Sequence, residues 1–208
     1  MNILAIGAHF DDVELGCGGS LFQWKKLGHE IIIFVASISG YSNSQGDIIR
    51  SDSVAYEEGV NAANFLGADL ITGGFSTFDV EFAEPLNRKL IDVSNQVQPD
   101  IVLTHWSGDV HHDHKFLSLA TLHCYRHIPK LLMYCANWYE ADNRFDPRFF
   151  IDISDTFTKK KELIEIFQSE NKRTKGIWMD YIQAQSRLFG LKAGVKYAEG
   201  FEVVKWLY

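Results

Sequence analysis

Cysteine is scarce. Three residues, Cys17, Cys124 and Cys135, lie scattered through 208. That is too few for a disulfide framework and fits a reducing compartment. Long apolar runs are missing too. Ile31–Ala36 is nearly unbroken, but a bilayer crossing takes roughly 20 apolar residues, so no membrane span is expected. The N-terminus has neither a basic segment nor a small-residue cleavage site, so no signal peptide is expected; the expected address is cytoplasmic. Positive charge is short, with 20 Lys and Arg against 27 Asp and Glu, for a net charge of −7. With no basic patch, a nucleic-acid partner is excluded. The longest basic run, Lys159–Lys161, reads as a solvated helix face. There is no internal repeat, low-complexity tract or linker, so residues 1–208 are expected to form a single domain.

The chain has 46% hydrophobic and 23% charged residues, the balance of a soluble globular protein. Strand and helix patterns alternate along it. Ile3–Ala8 reads as a strand. Leu21, Phe22, Trp24 and Leu27 share one helical face, and Gly28 caps that helix. Ile31–Ala36 reads as a strand buried on both faces. Residues 37–50 read as a polar loop. Ser51 or Asp52 opens a helix to Leu66, with Gly67 as its stop. A short strand, Leu70–Thr72, is followed by a loop, Thr77–Glu84, and a helix, Leu86–Val97, ended by Pro99. Then come a strand, Asp100–His105, a helix, Lys115–His127, and a strand, Leu131–Cys135. An aromatic loop, Ala136–Arg148, leads to a strand, Phe149–Ile153. One helix from Ser154 or Asp155 to Ser169, another over Ile177–Phe189 and an extended Ala198–Leu207 complete the chain. This alternation predicts an α/β fold: a three-layer, Rossmann-like domain with a mostly parallel sheet.

Two clusters carry the chemistry. The first is AHFDDVELGCGG, residues 8–19, just past the first strand. Its His9, Asp11 and Asp12 have the composition of a metal site. A dinucleotide fingerprint is the competing reading, but Leu21 occupies the place of its third glycine and no acidic residue clearly ends the second strand. The glycines are read as letting the chain turn tightly around the carboxylates. The second cluster, His111, His112, Asp113 and His114, follows the Ile101–Thr104 run. His29, His105, His123 and His127 are read as core or surface residues. Strand C-terminal ends are where α/β proteins place their sites, so the two clusters are expected to meet and share one divalent metal. Two histidines and one carboxylate would leave a position open on zinc, as catalytic sites do.

These residues also carry a family resemblance. AHFDDVELGCGG resembles the AHPDD-E-GGG signature of the PIG-L/LmbE-like N-deacetylases, with Phe10 where proline is usual. GDVHHDH resembles their second signature, H-P-D-H near a glycine, with His112 in the proline's place. YEEGVNAANFLGA, FFIDISDTFTKK and KYAEGFEV are similar to later stretches of that family. The resemblance implies a metal-dependent hydrolase that removes the acetyl group from an N-acetylglucosamine-type sugar, free, glycosidic or nucleotide-linked. It implies zinc or ferrous iron held by His9, Asp12 and His114, and Asp11 as general base. His111 would stabilise the oxyanion or protonate the leaving amine, with Asp113 as its orienting partner. It also implies a homo-oligomer, a trimer or hexamer. Relatives carry a tyrosine where this chain has Asp109; a carboxylate there could not stabilise an oxyanion unless it points away.

Other residues keep two readings each. Glu14 orients a ligand histidine or meets a sugar hydroxyl, or simply favours a helix N-terminus. Cys17 is a soft ligand or a packing residue. Arg50 holds a substrate hydroxyl, phosphate or carboxylate, or is a surface arginine. Trp106 and Trp138 stack on a sugar or pack in the core, as do Tyr41, Tyr139 and Phe145. For the whole chain the alternatives are a metallophosphoesterase, and a non-catalytic protein that binds sugars with a metal.

Overall fold

The computed structural model describes residues 1–208. In chain order the elements are β1 (Asn2–Gly7), α1 (Asp12–Lys26), β2 (Glu30–Ser37), β3 (Tyr41–Ser42), β4 (Ile48–Arg50), α2 (Asp52–Leu66), β5 (Asp69–Phe75) and α3 (Glu84–Val97). They continue as β6 (Ile101–His105), α4 (His112–Cys124), β7 (Lys130–Tyr134), β8 (Phe149–Asp152), α5 (Phe157–Glu165), α6 (Gln168–Thr174), α7 (Ile177–Ala193) and β9 (Ala198–Trp206). The main sheet has the order β5-β2-β1-β6-β7-β9-β8. Its first five strands are parallel, and β9 runs antiparallel to both neighbours. This is the expected three-layer α/β architecture. Side chains alternate across the sheet, as the pleat requires. Ile3 and Ala5 enter a core shared with Leu21, Leu66, Leu163 and Ile182. Leu4 and Ile6 enter the opposite core with Leu86, Leu90 and Leu117.

The order of strands positions the site. From β1 the chain moves outward to β2 and β5, then returns to pair β6 against the other side of β1. The loops leaving β1 and β6 therefore diverge at a topological switch point, where an open α/β sheet leaves a crevice. Ile3 pairs with Ile101 and Ala5 with Leu103, and adjacent strands lie ~4.8 Å apart. Residues about a hundred positions apart are thus delivered to one place.

Local signals hold well. Ser51 caps α2 by accepting from the Val54 amide at 3.3 Å, and Gly67 ends it at φ 75°. Gly28 takes φ 79° just past α1. Three expectations change. The helix after β6 starts at His112 and not Lys115, so His112, Asp113 and His114 form its first turn. The single helix expected to reach Ser169 breaks into α5 and α6, because Phe167 turns into the core at φ −79°, ψ 63°. The loop 37–50 contains the two-stranded β3–β4 ribbon.

The glycines of the first cluster also have another task. Gly16, Gly18 and Gly19 lie inside α1 rather than in a turn. A Cβ on Gly16 would overlap the Tyr134 ring, at 2.7 Å from Cε2, and one on Gly19 would press Ile153 at 2.9 Å. The glycines let β7 and the segment after β8 close onto the helix. Gly16→Ala is therefore expected to destabilise the fold, although alanine is the better helix former. Propensity favours alanine by about 1 kcal/mol, whereas overpacking costs about 1–3 kcal/mol. Tyr134 has nowhere to go: it is fully buried and its hydroxyl donates to the Ile6 carbonyl at 2.8 Å. Thermal unfolding checks the sign; a raised Tm would show that the ring can yield.

A buried ion pair fastens the same helix from the other end of the chain. Lys160 of α5 donates to the Leu15 carbonyl at 2.6 Å and to Glu199 Oε1 of β9 at 2.5 Å. Glu199 in turn accepts from the Gly19 and Ser20 amides at 3.0 and 2.6 Å.

Candidate active site

His9, Asp11 and Asp12 occupy the turn from β1 into α1. Asp12 is the first helical residue, and Asp11 precedes it at φ 132°, ψ −27°. A positive φ at a non-glycine residue is a strained conformation of the kind that collects at functional sites. This kink is what separates the two carboxylates, sending Asp12 to the histidines and Asp11 to Arg50.

His9 Nδ1 lies 3.2 Å from His114 Nε2 and 3.3 Å from Asp12 Oδ2, and His114 Nε2 lies 3.2 Å from Asp12 Oδ1. A tetrahedral zinc ion ~2.0–2.1 Å from each donor gives donor–donor edges of about 3.3–3.4 Å. The three groups therefore make a fitting face for a divalent ion. Each imidazole is backed by a carboxylate on its other nitrogen. His9 Nε2 meets Asp113 Oδ2 at 2.9 Å, and His114 Nδ1 meets Asp109 Oδ2 at 2.9 Å. Such backing fixes the tautomer that leaves the facing nitrogen free to bind a metal.

Those two carboxylates correct one reading and resolve another. Asp113 was expected to orient His111; it contacts His9 instead and also accepts from the Phe78 and Val80 amides at 2.8 and 3.2 Å. Asp109 points away from the cavity to His114, and accepts further from Asn137 Nδ2 at 2.8 Å and the His111 amide at 2.9 Å. Although burial opposes ionisation, His114 and the His111 amide hold the Asp109 carboxyl down at about 2.

His111 stands on the open side, its ring 4.9 Å from that of His9 and 4.3 Å from that of His114. Its Nδ1 is buried without a partner. Burial and the neighbouring charges of His114 and His9 push it down to about 4, so it is neutral near pH 7. His9, His111 and His114 form a second set of donors close enough for one ion.

His105, read from sequence as a core or surface residue, joins the site. It stacks on His114 at 3.9 Å and lies 3.2 Å from Asp12 Oδ2. The Ala8 amide donates to its Nε2 at 3.1 Å, occupying that lone pair, so it supports His114 by stacking. Its place at the end of β6 was the only signal available in the sequence.

Asp11 Oδ2 accepts from Arg50 Nη1 at 3.0 Å. Burial pushes the Asp11 carboxyl well above its usual range, and Arg50 partly opposes this. Arg50 is not a surface arginine: it is buried, and it also donates to the Phe10 carbonyl at 3.2 Å and to Glu58 Oε2 at 2.9 Å.

A cavity of about 240 Å³ opens over these groups, lined among others by Arg50, Phe78, Asn137, Trp138 and Tyr139. Tyr41, Glu170 and Arg173 edge it, joined by hydrogen bonds from Tyr41 Oη at 2.9 Å and Arg173 Nε at 2.7 Å to the Glu170 carboxylate. Phe78, Asn137, Glu170 and Arg173 escaped the sequence reading because nothing local marks them. Trp138 takes the expected wall position. Trp106 does not: it is buried outside the cavity, 5.9 Å from the Phe145 ring. Glu14 is buried away from the cavity, and burial pushes it up to about 7. Cys17 packs in the core, its thiol on the Val13 carbonyl at 3.2 Å. His112 is exposed against Phe116 and touches none of this.

The sequence profile of the PIG-L family, described as GlcNAc-PI de-N-acetylase, matches residues 4–125. The chain belongs to the PIG-L family. It is 34% identical over 148 residues to the uncharacterized deacetylase YaiS of Escherichia coli K12, covering 64% of this chain and 72% of YaiS. It is 20% identical over 224 aligned positions to the diacetylchitobiose deacetylase of Thermococcus kodakarensis, covering 99% of this chain and 84% of that one. The structure of N,N'-diacetylchitobiose deacetylase from Pyrococcus horikoshii has the same fold, with a TM-score of 0.83 at 18% identity over 97% of this chain and 83% of that one. As a PIG-L protein the chain is an enzyme of the hydrolytic N-deacetylase class. No helix is long and apolar enough to cross a membrane.

Metal uptake by this PIG-L site should be linked to protons. Burial opposes charge on both rings, but the Asp12 carboxylate and the backing aspartates outweigh it, pushing His9 up to about 10 and His114 to about 9. A metal ion must displace protons held at these rings. Proton release is expected near pH 7, with affinity rising until both rings deprotonate. Calorimetry in buffers of differing ionisation enthalpy counts the protons; none released near pH 7 would contradict the assignment.

Proposed function

We propose that this chain is a zinc-dependent N-deacetylase that removes the acetyl group from an N-acetylglucosamine-type sugar, acting as a single cytoplasmic domain. The observation that carries this reading is the face of three donors from His9, Asp12 and His114, with the strained Asp11 beside it at the cavity floor. The description of the family and the names of the two diacetylchitobiose deacetylases, all referring to acetylated sugars, support the substrate class. At about 240 Å³ the cavity is smaller than the roughly 300–1,000 Å³ typical of drug-sized ligands. It suits one acetylated ring.

His9, Asp12 and His114 would hold the metal ion, which when bound would supply Lewis-acid activation of water and of the amide carbonyl. Arg50 engages Asp11 Oδ2, leaving Oδ1 to take the proton of the attacking water. His111, neutral because burial and nearby positive charge hold it at about 4, donates a ring N–H to the developing oxyanion. Asp11 then returns its proton to the amine nitrogen as the C–N bond breaks, giving acetate and a free amine. Trp138 and Tyr139 wall the cavity on the β7 side and offer aromatic faces to the sugar. Two nitrogens and a carboxylate suit zinc and also ferrous iron. Acetate release over a panel of free, glycosidic and nucleotide-linked N-acetylated sugars, with metal analysis of the same sample, tests the reading. Full metal loading with no acetate released from any of them would refute it.

A further inference from the structure

We infer that Phe10, seated in a notch of α2 at Gly59, is the positioning residue that holds Asp11 in its strained, productive conformation. The inference rests on the proposed role of Asp11 as the base.

Phe10 stands between His9 and Asp11, and every part of it is held. Its amide donates to Ser39 Oγ at 2.9 Å, and its carbonyl accepts from Arg50 Nη1 at 3.2 Å. Its ring is buried and meets Tyr56 edge-on at 6.1 Å between centroids. The ring also fills the place of a side chain on α2. A Cβ on Gly59 would lie 2.7 Å from Phe10 Cε1 and 2.8 Å from Cγ, closer than real Cβ contacts come. Gly59 sits in the interior of α2, where glycine costs about 1 kcal/mol relative to alanine. Admission of the Phe10 ring explains why glycine is there.

The residue before Gly59 completes the device. Glu58 accepts from Arg50 Nη2 at 2.9 Å, while Nη1 of the same guanidinium reaches Asp11 Oδ2 at 3.0 Å. Glu58 is fixed from its other side by the Ser169 amide and hydroxyl at 2.7 and 2.6 Å. One turn of α2 therefore seats the Phe10 ring at Gly59 and, through Glu58, fixes the Arg50 guanidinium that holds the Phe10 carbonyl and the Asp11 carboxylate. Strain of the kind seen at Asp11, φ 132°, persists only where the surroundings over-determine it. Of these constraints, the Phe10 ring is the one directly beside the kink that is made by packing alone.

The test uses Phe10→Ala, Gly59→Ala and the double variant. Each is assayed for kcat and KM on the best sugar of the panel, for metal content and for Tm, and the Phe10→Ala crystal structure is solved. Displacement of a catalytic group by ~1 Å can cost about 10²-fold. Each single variant is expected to lose kcat by roughly ten-fold or more, with KM and metal content near wild type. The double variant is expected to be no worse than either single one, because both disrupt the same contact; it also guards against Gly59→Ala failing to fold. In the Phe10→Ala crystal, Asp11 is expected to leave positive φ or lose Arg50. Unchanged kcat per metal-loaded molecule with only a lower Tm would overturn the inference. So would a crystal in which Asp11 keeps its φ and its Arg50 contact. That crystallographic outcome stands whatever the substrate proves to be, whereas an inactive wild type would count against the deacetylase reading alone.

Discussion

Asp11→Asn is expected to keep its metal and lose about 10² to 10⁴ in turnover, the span a well-placed acid or base contributes. Asparagine has the shape of aspartate, and its carbonyl oxygen can still accept from Arg50 Nη1, which lies 3.0 Å from Asp11 Oδ2. It also belongs, with aspartate, to the few side chains that tolerate positive φ, so the backbone at φ 132° gains no new strain. What it cannot do is take a proton from water. The metal-binding face does not include residue 11, so metal content should stay at the wild-type level. Initial rates of acetate release, normalised to bound metal, give the answer. Turnover within a few-fold of wild type would remove Asp11 from the chemistry.

Lys160→Met is expected to lower stability more than any change at the cavity rim. Lys160 and Glu199 are both buried, and Nζ meets Oε1 at 2.5 Å. Deleting the lysine leaves the Glu199 carboxylate buried with the Gly19 and Ser20 amides alone. It also orphans the Leu15 carbonyl, which accepts from Lys160. Removing one member of a buried pair costs about 3–5 kcal/mol. For a chain of this size that amounts to a fall in Tm of roughly 6–20 °C. Pairing the change with Glu199→Gln should recover part of the loss, because the uncompensated charge disappears, although the single amide oxygen replaces only one of the two carboxylate oxygens that now accept from Gly19 and Ser20. Thermal unfolding of the single and double variants decides it; a single variant as stable as wild type would show that water reaches Glu199.

The helix caps at Ser51 and Gly67 and the β-branched run Ile31–Ala36 were legible because their physics lies within a few residues. The switch to α6 was not. A helix running on to Ser169 fits the local pattern, and the turn of Phe167 into the core breaks it. The glycines of α1 looked like a turn because sequence cannot show that Tyr134 and Ile153 need the space. In the site, the strand-end placement of the two clusters predicted their meeting, and the sheet order delivers it. Side-chain direction was another matter. Asp113 turned to His9 rather than His111, Arg50 turned inward to Asp11 and Glu58, and Trp106 turned away from the cavity.

By itself, the sequence determined the α/β class, the alternation of the main strands and helices and the residue types that gather at the ends of β1 and β6, since these follow from periodicity, capping and short-range spacing. Only the tertiary structure decided which carboxylate backs which imidazole, that His105 supports the site and that α2 seats the Phe10 ring while its Glu58 fixes the Arg50 that holds Asp11. Those pairings join residues tens of positions apart, and their partners are chosen by packing across strands and helices, which no local pattern encodes.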